Sequence, residues 1–217
     1  VVDVAGGPDD YPAGGVAVAP DGTVWIGGDY WFARWDGGCW HSLGPGTGGL
    51  SRVATSLTVH NGDSIAGGYF TTAGGVAASH IAAWDGSTWT PLGSGMDGSV
   101  CSLVVYKDRL IAGGHFTSAG GLDCSHIARW DGAQWHTLGN GLDGWVFAMA
   151  VGPDGSLYAG GDFTTAGGVE ANHIARWDGT RWHPLSSGLA GGSSPCAYAL
   201  AVGADGSLYV GGTFTIA

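Results

Sequence analysis

An all-β fold, a β-propeller of four-stranded antiparallel blades with about 47 residues per repeat, is predicted by three observations. The pattern Trp-Asp-Gly-x-x-Trp occurs four times in 217 residues, at Trp35 to Trp40, Trp84 to Trp89, Trp130 to Trp135 and Trp177 to Trp182. Their first tryptophans lie 49, 46 and 47 residues apart, a spacing of propeller blades and too long for most helical repeats. Each period also holds alternating apolar stretches and a glycine pair, which parse as four strands.

The first dozen residues do not match the repeat, so residues 1–14 are set apart as an N-terminal segment and 15–217 as the propeller, four full repeats and the first half of a fifth. The first strand of the copies reads Val16 to Ala19, Leu57 to Val59, Leu103 to Val105, Val146 to Val151 and Ala197 to Val202. Large and small residues alternate in it, Met149 and Val151 against Ala148 and Ala150. Period two means strand, and one face of small residues suits the innermost strand, where neighbouring sheets crowd together. Pro20-Asp21-Gly22, Asn61-Gly62, Pro153-Asp154-Gly155 and Ala204-Asp205-Gly206 mark the tight turn that follows.

The second strand runs into a double glycine, as in Ile65-Ala66-Gly67-Gly68 and Tyr158-Ala159-Gly160-Gly161, a sign of a bulge or a close backbone approach. A loop of the form Thr164-Thr165-Ala166-Gly167-Gly168 comes next, absent from the first copy. The third strand ends at Asp-Gly and the fourth opens at the second tryptophan, so the two indoles flank a turn and can pair across it. The fifth copy ends at Thr215-Ile216-Ala217, inside the loop, so the expectation is a piece of a longer chain.

Composition narrows the function. Forty-four glycines, 11 tryptophans and 44% hydrophobic residues against 12% charged ones do not describe a disordered chain. Eighteen acidic and 7 basic residues give a net charge of −11, with Glu170 the only glutamate, and this excludes a phosphate-tracking basic stripe and hence nucleic acid. A single lysine, Lys107, argues against an anionic membrane surface, and no apolar run reaches the roughly 20 residues of a membrane span. No membrane insertion is expected.

The double glycine resembles the kelch and galactose-oxidase propellers, and Ile174-Ala175-Arg176-Trp177-Asp178 resembles the Trp-Asp end of a WD40 blade. The form Gly-Gly-x-Phe-Thr-Thr-Ala-Gly-Gly followed by Ile-Ala-x-Trp-Asp-Gly-x-x-Trp is similar to repeats of secreted or surface bacterial propellers and of fungal cortical polarity-marker proteins. The WD40 Gly-His dipeptide is absent, and tryptophan replaces the kelch tyrosine. The resemblance implies an extracellular binding or display module and does not name a ligand.

Comparing the copies separates positions the fold demands from those free to vary. The residue after the glycine pair is Asp29, Tyr69, His115, Asp162 or Thr213, varying while its neighbours do not, so the first four are candidate ligand contacts beside an ordinary loop-edge reading. Trp145, where another copy has Ser99, is a further candidate as a sugar-stacking platform, with blade packing the alternative. His80, His126 and His173 recur before the third strand and His41, His136 and His183 after the second tryptophan, where structural hydrogen bonding is the preferred reading. No metal is expected from them, since equivalent residues sit on separate blades. Asp97 and Asp143 could bind calcium, but turn capping accounts for such aspartates and no Asp-x-Asp-x-Asp-Gly loop is present.

No nucleophile elbow, His-Glu-x-x-His or phosphate-binding loop appears, so no catalytic residue and no cofactor is assigned. Cys101 and Cys124 arise together in one copy at positions an up-and-down blade places at the same end, and a disulfide between them would indicate an oxidising compartment. Cys39 falls in a hairpin at the opposite end, and Cys196 is placed at the other face. The expected function is a non-catalytic extracellular interaction module binding protein or carbohydrate through one loop face. The alternatives are a structural subunit of a surface assembly joined through an open blade edge, and a propeller enzyme acting on polysaccharide.

Overall fold

The computed structural model describes residues 14–28, 32–42, 50 and 53–217, and among these all regular structure is β-strand. The N-terminal segment up to residue 13 and Asp29 lie outside the described residues. The chain divides into two compact units, Val1–Val100 and Cys101–Ala217.

In the first unit, β1 (Gly15–Val18), β2 (Val24–Gly27), β3 (Phe32–Trp35) and β4 (Trp40–Ser42) form one antiparallel sheet in chain order. The next sheet is built from β5 (Ala54–His60), β6 (Asp63–Gly68), β9 (Ile81–Trp84) and β10 (Trp89–Pro91), interrupted by the small hairpin β7 (Thr72–Ala73) and β8 (Val76–Ala77). The same plan recurs as β11 (Val100–Tyr106) and β12 (Arg109–Gly114), hairpin β13 (Ser118–Ala119) and β14 (Leu122–Asp123), then β15 (Ile127–Trp130) and β16 (Trp135–Thr137). It recurs again as β17 (Val146–Val151), β18 (Leu157–Gly161), hairpin β19 (Thr165–Ala166) and β20 (Val169–Glu170), β21 (Ile174–Trp177) and β22 (Trp182–Pro184). Strands β23 (Ala197–Val202) and β24 (Leu208–Gly212) pair as a last, two-stranded sheet. The chain is a β-propeller of up-and-down sheets, and the stretch expected as a loop folds into a hairpin of its own, closed in β13–β14 by Gly120 and Gly121 at φ 62° and 81°.

The tryptophan pairs lie directly opposite one another in register, Trp35 with Trp40, Trp84 with Trp89, Trp130 with Trp135 and Trp177 with Trp182. Their rings meet at 5.1 to 5.6 Å with interplanar angles of 50° to 54°. Such tilted pairs stabilise by about 0.5–1.5 kcal/mol beyond the area they bury. In the second unit Trp177 and Trp182 join one core with Ile111, Val146, Met149 and Phe163, and Trp182 Nε1 donates to the Leu138 carbonyl at 3.1 Å.

Aspartate closes each outer hairpin. Asp178 Oδ1 accepts the amides of Thr180 and Arg181 at 2.7 and 2.9 Å while Oδ2 meets His183 Nε2 at 2.6 Å. Asp36 with His41 and Asp131 with His136 repeat the arrangement, and in the copy that has Thr90 instead of histidine the Ser87 and Thr88 hydroxyls donate to Asp85. These bonds favour the ionised carboxylate and hold Asp36, Asp85, Asp131 and Asp178 well below the usual carboxylate range.

The other recurrent histidines work through the backbone. His80, His126 and His173 sit at φ 65° to 69°, a left-handed region in which histidine is enriched. In the third copy the His126 amide donates to the Phe116 carbonyl at 3.0 Å and its carbonyl accepts from Gly114 at 3.0 Å. His173 does the same with Phe163 and Gly161. Each histidine thereby ties the glycine pair and the phenylalanine two residues after it to the third strand, and Phe70, Phe116 and Phe163 are fully buried as a result.

The glycine pair lets successive sheets approach. A Cβ on Gly160 would lie 2.8 Å from the Ala197 Cβ of the next sheet, and one on Gly113 would lie 2.6 Å from Val146 Cγ1. A Cβ on Gly161 would overlap the Trp145 carbonyl. Strand β17 accordingly packs on β23, as an innermost strand should.

These contacts set the cost of filling the close approach. Gly161→Ala should destabilise by more than about 2 kcal/mol, whereas Gly155→Ala, at φ 73° with open space around it, should cost about 1 kcal/mol; thermal melts of the two variants compare them. The turn aspartates have folded pKa values below their unfolded 3.8, so what they contribute is complete above about pH 4 and is lost as pH falls through the folded values. Carboxyl titration followed by NMR, together with melts from about pH 7 to about pH 2, should show these groups contributing no change in stability down to about pH 4 and a loss below it.

Candidate functional site

In the second unit, the innermost strands carry a bulge where they begin. The β17–β18 register shifts between Val146 and Ala148, and the β23–β24 register between Ala197 and Ala199, which leaves Phe147 and Tyr198 as the extra residues. A bulge bends its strand and re-aims the side chain it frees. Here the freed rings meet each other, Phe147 against Tyr198 at 5.3 Å.

Two of the sequence candidates extend that contact into a row. His115 stacks on Trp145 at 4.1 Å and 27°, and stands edge-on to Phe147 at 5.5 Å and 85°. Trp145 meets Phe147 edge-on at 6.2 Å. The row His115, Trp145, Phe147, Tyr198 therefore draws on three successive sheets, and its outward members stay accessible, Trp145 at 44% and Tyr198 at 54%.

Asp162 pins the row. Its Oδ1 accepts the Trp145 amide at 2.5 Å, and its own amide donates to the Trp145 carbonyl at 3.2 Å. Burial holds the His115 imidazole below its ordinary pKa, the Asp162 charge opposes this, and His126 adds to the lowering. Burial likewise pushes the Cys196 thiol up, Asp162 reinforces it, and a hydrogen bond with Tyr198 opposes it. Cys196 lies just before β23, at the same end of the sheets as this group, which corrects the expectation that it lies at the other face.

The structure thus gathers His115, Trp145 and Asp162. Tyr69 belongs to the first unit, 41% exposed with its amide donating to the Val53 carbonyl at 3.0 Å, and Asp29 is outside the described residues. Phe147, Tyr198 and Cys196 are not among the residues that sequence reasoning selects, although a signal for the two rings is present. The bulge position reads Thr55, Cys101, Phe147 and Tyr198 across the copies, as variable as the residue after the glycine pair.

The expected Cys101–Cys124 disulfide is not made, and no disulfide is present among the described residues. Cys124 is buried with its Sγ directed to the Thr117 carbonyl at 3.7 Å, across the β13–β14 hairpin that stands where a loop is expected. Asp143 serves the turn rather than an open cation site: its carboxylate accepts the Thr164 and Thr165 amides at 2.8 and 2.7 Å and the Thr164 hydroxyl at 2.7 Å. Asp36, Cys39 and His41 bring three metal-ligating atoms within 4.8 Å of one another. The Asp36 carboxylate is already bonded to His41 and to the amides of Gly38 and Cys39, and the same Asp–His pair forms where Gln134 or Arg181 replaces the cysteine, so hairpin closure accounts for it.

Comparison with known proteins agrees with this architecture. Residues 94–182 match the family model of the Rax2 C-terminal beta propeller domain. The chain is similar to the WD40 beta propeller domain of Doa1, at 12% identity and a TM-score of 0.51, over 93% of this chain and 76% of that one. It is similar to the extracellular domain of the hybrid two-component system BT4673 from B. thetaiotaomicron, at 13% identity and a TM-score of 0.61, over 97% of this chain but 28% of that one. It is also similar to YCF48, solved bound to D1 peptide, at 18% identity and a TM-score of 0.52, over 94% of this chain and 61% of that one. No curated protein sequence matches it. The likeness is to WD40- and kelch-like propellers, and it is a likeness of fold.

The electrostatics of the row give a test. With its folded pKa below 6.5, His115 is neutral at about pH 7, and the stability this confers is lost as pH falls through the folded value. An NMR titration of His115 should show a midpoint below 6.5, and Asp162→Asn should lower it further by removing a charge that favours the imidazolium. A midpoint that rises in the variant contradicts the arrangement.

Proposed function

We propose that the chain is a non-catalytic interaction module that binds a segment of a partner protein across the row His115, Trp145, Phe147 and Tyr198. The observation that carries this reading is a contiguous aromatic surface, half exposed and anchored at Trp145 by the Asp162 carboxylate. Tryptophan and tyrosine supply large contact area with little rotamer entropy to lose, which is why they dominate binding hot spots. YCF48, a propeller similar in fold, is known with a peptide bound, which supports a protein ligand here.

An extracellular or cell-surface setting belongs to the same proposal. It is supported by the resemblance of the repeats to surface propellers and by the fold shared with the BT4673 extracellular domain, and it has no disulfide behind it. Among the described residues no helix is long and apolar enough to cross a membrane.

A second reading is favoured by Trp145 alone: an indole 44% exposed can stack on the face of a sugar ring, so the ligand is then a glycan. Peptide and glycan arrays probed with the intact chain separate the two. Binding on the peptide array that drops by about tenfold or more in Trp145→Ala, with an unchanged melt, is the expected result. Binding confined to glycans selects the second reading, and binding indifferent to Trp145 overturns both.

A further inference from the structure

Three of the chain's seven basic residues, Lys107, Arg109 and Arg129, line a single cavity of about 380 Å³ in the second unit. Among the described residues no carboxylate lines it, in a chain whose net charge is −11. Trp177 and Leu138 provide an apolar wall. Among the described residues none of the three cations is in an ion pair with a carboxylate, so their charge is available to whatever enters.

The cavity also holds a polar group with nothing to bond. Tyr106 is 4% exposed, and its hydroxyl is buried with no hydrogen-bond partner among the described residues. Buried hydroxyls are ordinarily paired, so an orphan on a cavity wall points to a ligand atom. The Lys107 ammonium lies 5.0 Å from the centre of the Tyr106 ring. A Cβ added to Gly179 would come within 2.9 Å of Lys107 Nζ and 3.5 Å of the Tyr106 hydroxyl, so glycine leaves bare the spot on which both donors converge.

Backbone and side-chain constraints keep the cations there. Lys107 and Asp108 turn the β11–β12 hairpin at φ 48° and 58°, where another copy uses Asn61 and Gly62. Left-handed backbone is costly at a lysine, though not at an aspartate, and such strain gathers at functional sites. Arg109 Nη1 donates to the Asp131 carbonyl at 2.7 Å, which orients the guanidinium and leaves further N–H donors. The Asp131 carboxylate is occupied by His136 and by the amides of Ala133 and Gln134. None of the three cations has a counterpart in the second copy, where Asn61, Asp63 and Ala83 stand in their places.

We propose that this cavity binds a small organic oxyanion, its charged oxygens taken by Lys107, Arg129 and the Tyr106 hydroxyl and its body resting on Trp177. Planar donors such as arginine recognise carboxylate, phosphate and sulfate alike, so the oxyanion is the shared chemistry. The site lies at the turn end of β11–β12, whereas His115 follows the other end of β12, so it is independent of the aromatic row.

Titration of the intact chain with benzoate, phenyl phosphate and phenyl sulfate, with benzyl alcohol as the neutral control, tests it by calorimetry or NMR. At least one anion should bind with Kd below about 1 mM, more weakly as salt is raised, and the order among the three identifies the preferred group. Lys107→Gln and Arg129→Gln should each weaken binding about tenfold, and Trp145→Ala should leave it unchanged. Tyr106→Phe keeps the ring and removes only the orphaned hydroxyl, so it should weaken binding several-fold without lowering the melting temperature. The proposal is overturned if no anion binds, if benzyl alcohol binds as well as the anions, or if the charge-removing variants bind like the parent.

Discussion

The fold depends on how closely one sheet can approach the next at the glycine pair. The first glycine of the pair accepts a side chain of the following sheet, as Gly160 does with Ala197 and Gly113 with Val146, and the second lies under a carbonyl at the start of its own innermost strand. A methyl group at the first position would push the following sheet away, and one at the second would force apart two strands of the same sheet. The residue just before that strand and the residue just after the pair are consequently brought side by side, as Trp145 and Asp162 are. The same contact that permits the packing therefore builds the rim on which the aromatic row stands.

Much of this is legible in the sequence because the repeat compares itself with itself. The period, the sheet order and the tryptophan register are readable from spacing, since cross-strand partners on either side of a short turn leave little freedom. The histidines are readable as structural without their reasons. Those after the second tryptophan close a turn on aspartate, and those before the third strand adopt a left-handed backbone, and neither geometry has a signature beyond recurrence.

Other features depend on backbone detail that residue type does not encode. The bulge at Phe147 and Tyr198 changes which way a side chain faces without changing the hydrophobic pattern around it. The Cys101–Cys124 pairing fails for a similar reason: the intervening stretch forms a two-stranded hairpin, and Cys124 is committed to its interior side. The Lys107–Asp108 turn is hidden because lysine is not a residue that favours positive φ and no glycine follows it. At the candidate site, His115, Trp145 and Asp162 can be named by their variability, but their mutual contact is a property of three dimensions.

The aspartate hairpins carry an implication for how such a molecule assembles. Every bond that closes one spans five residues or fewer, so it can form in a short piece of chain before any distant partner arrives. A blade that prepares its outer edge locally presents a ready template to its neighbour, and nucleation is then open to several points along the polypeptide rather than one.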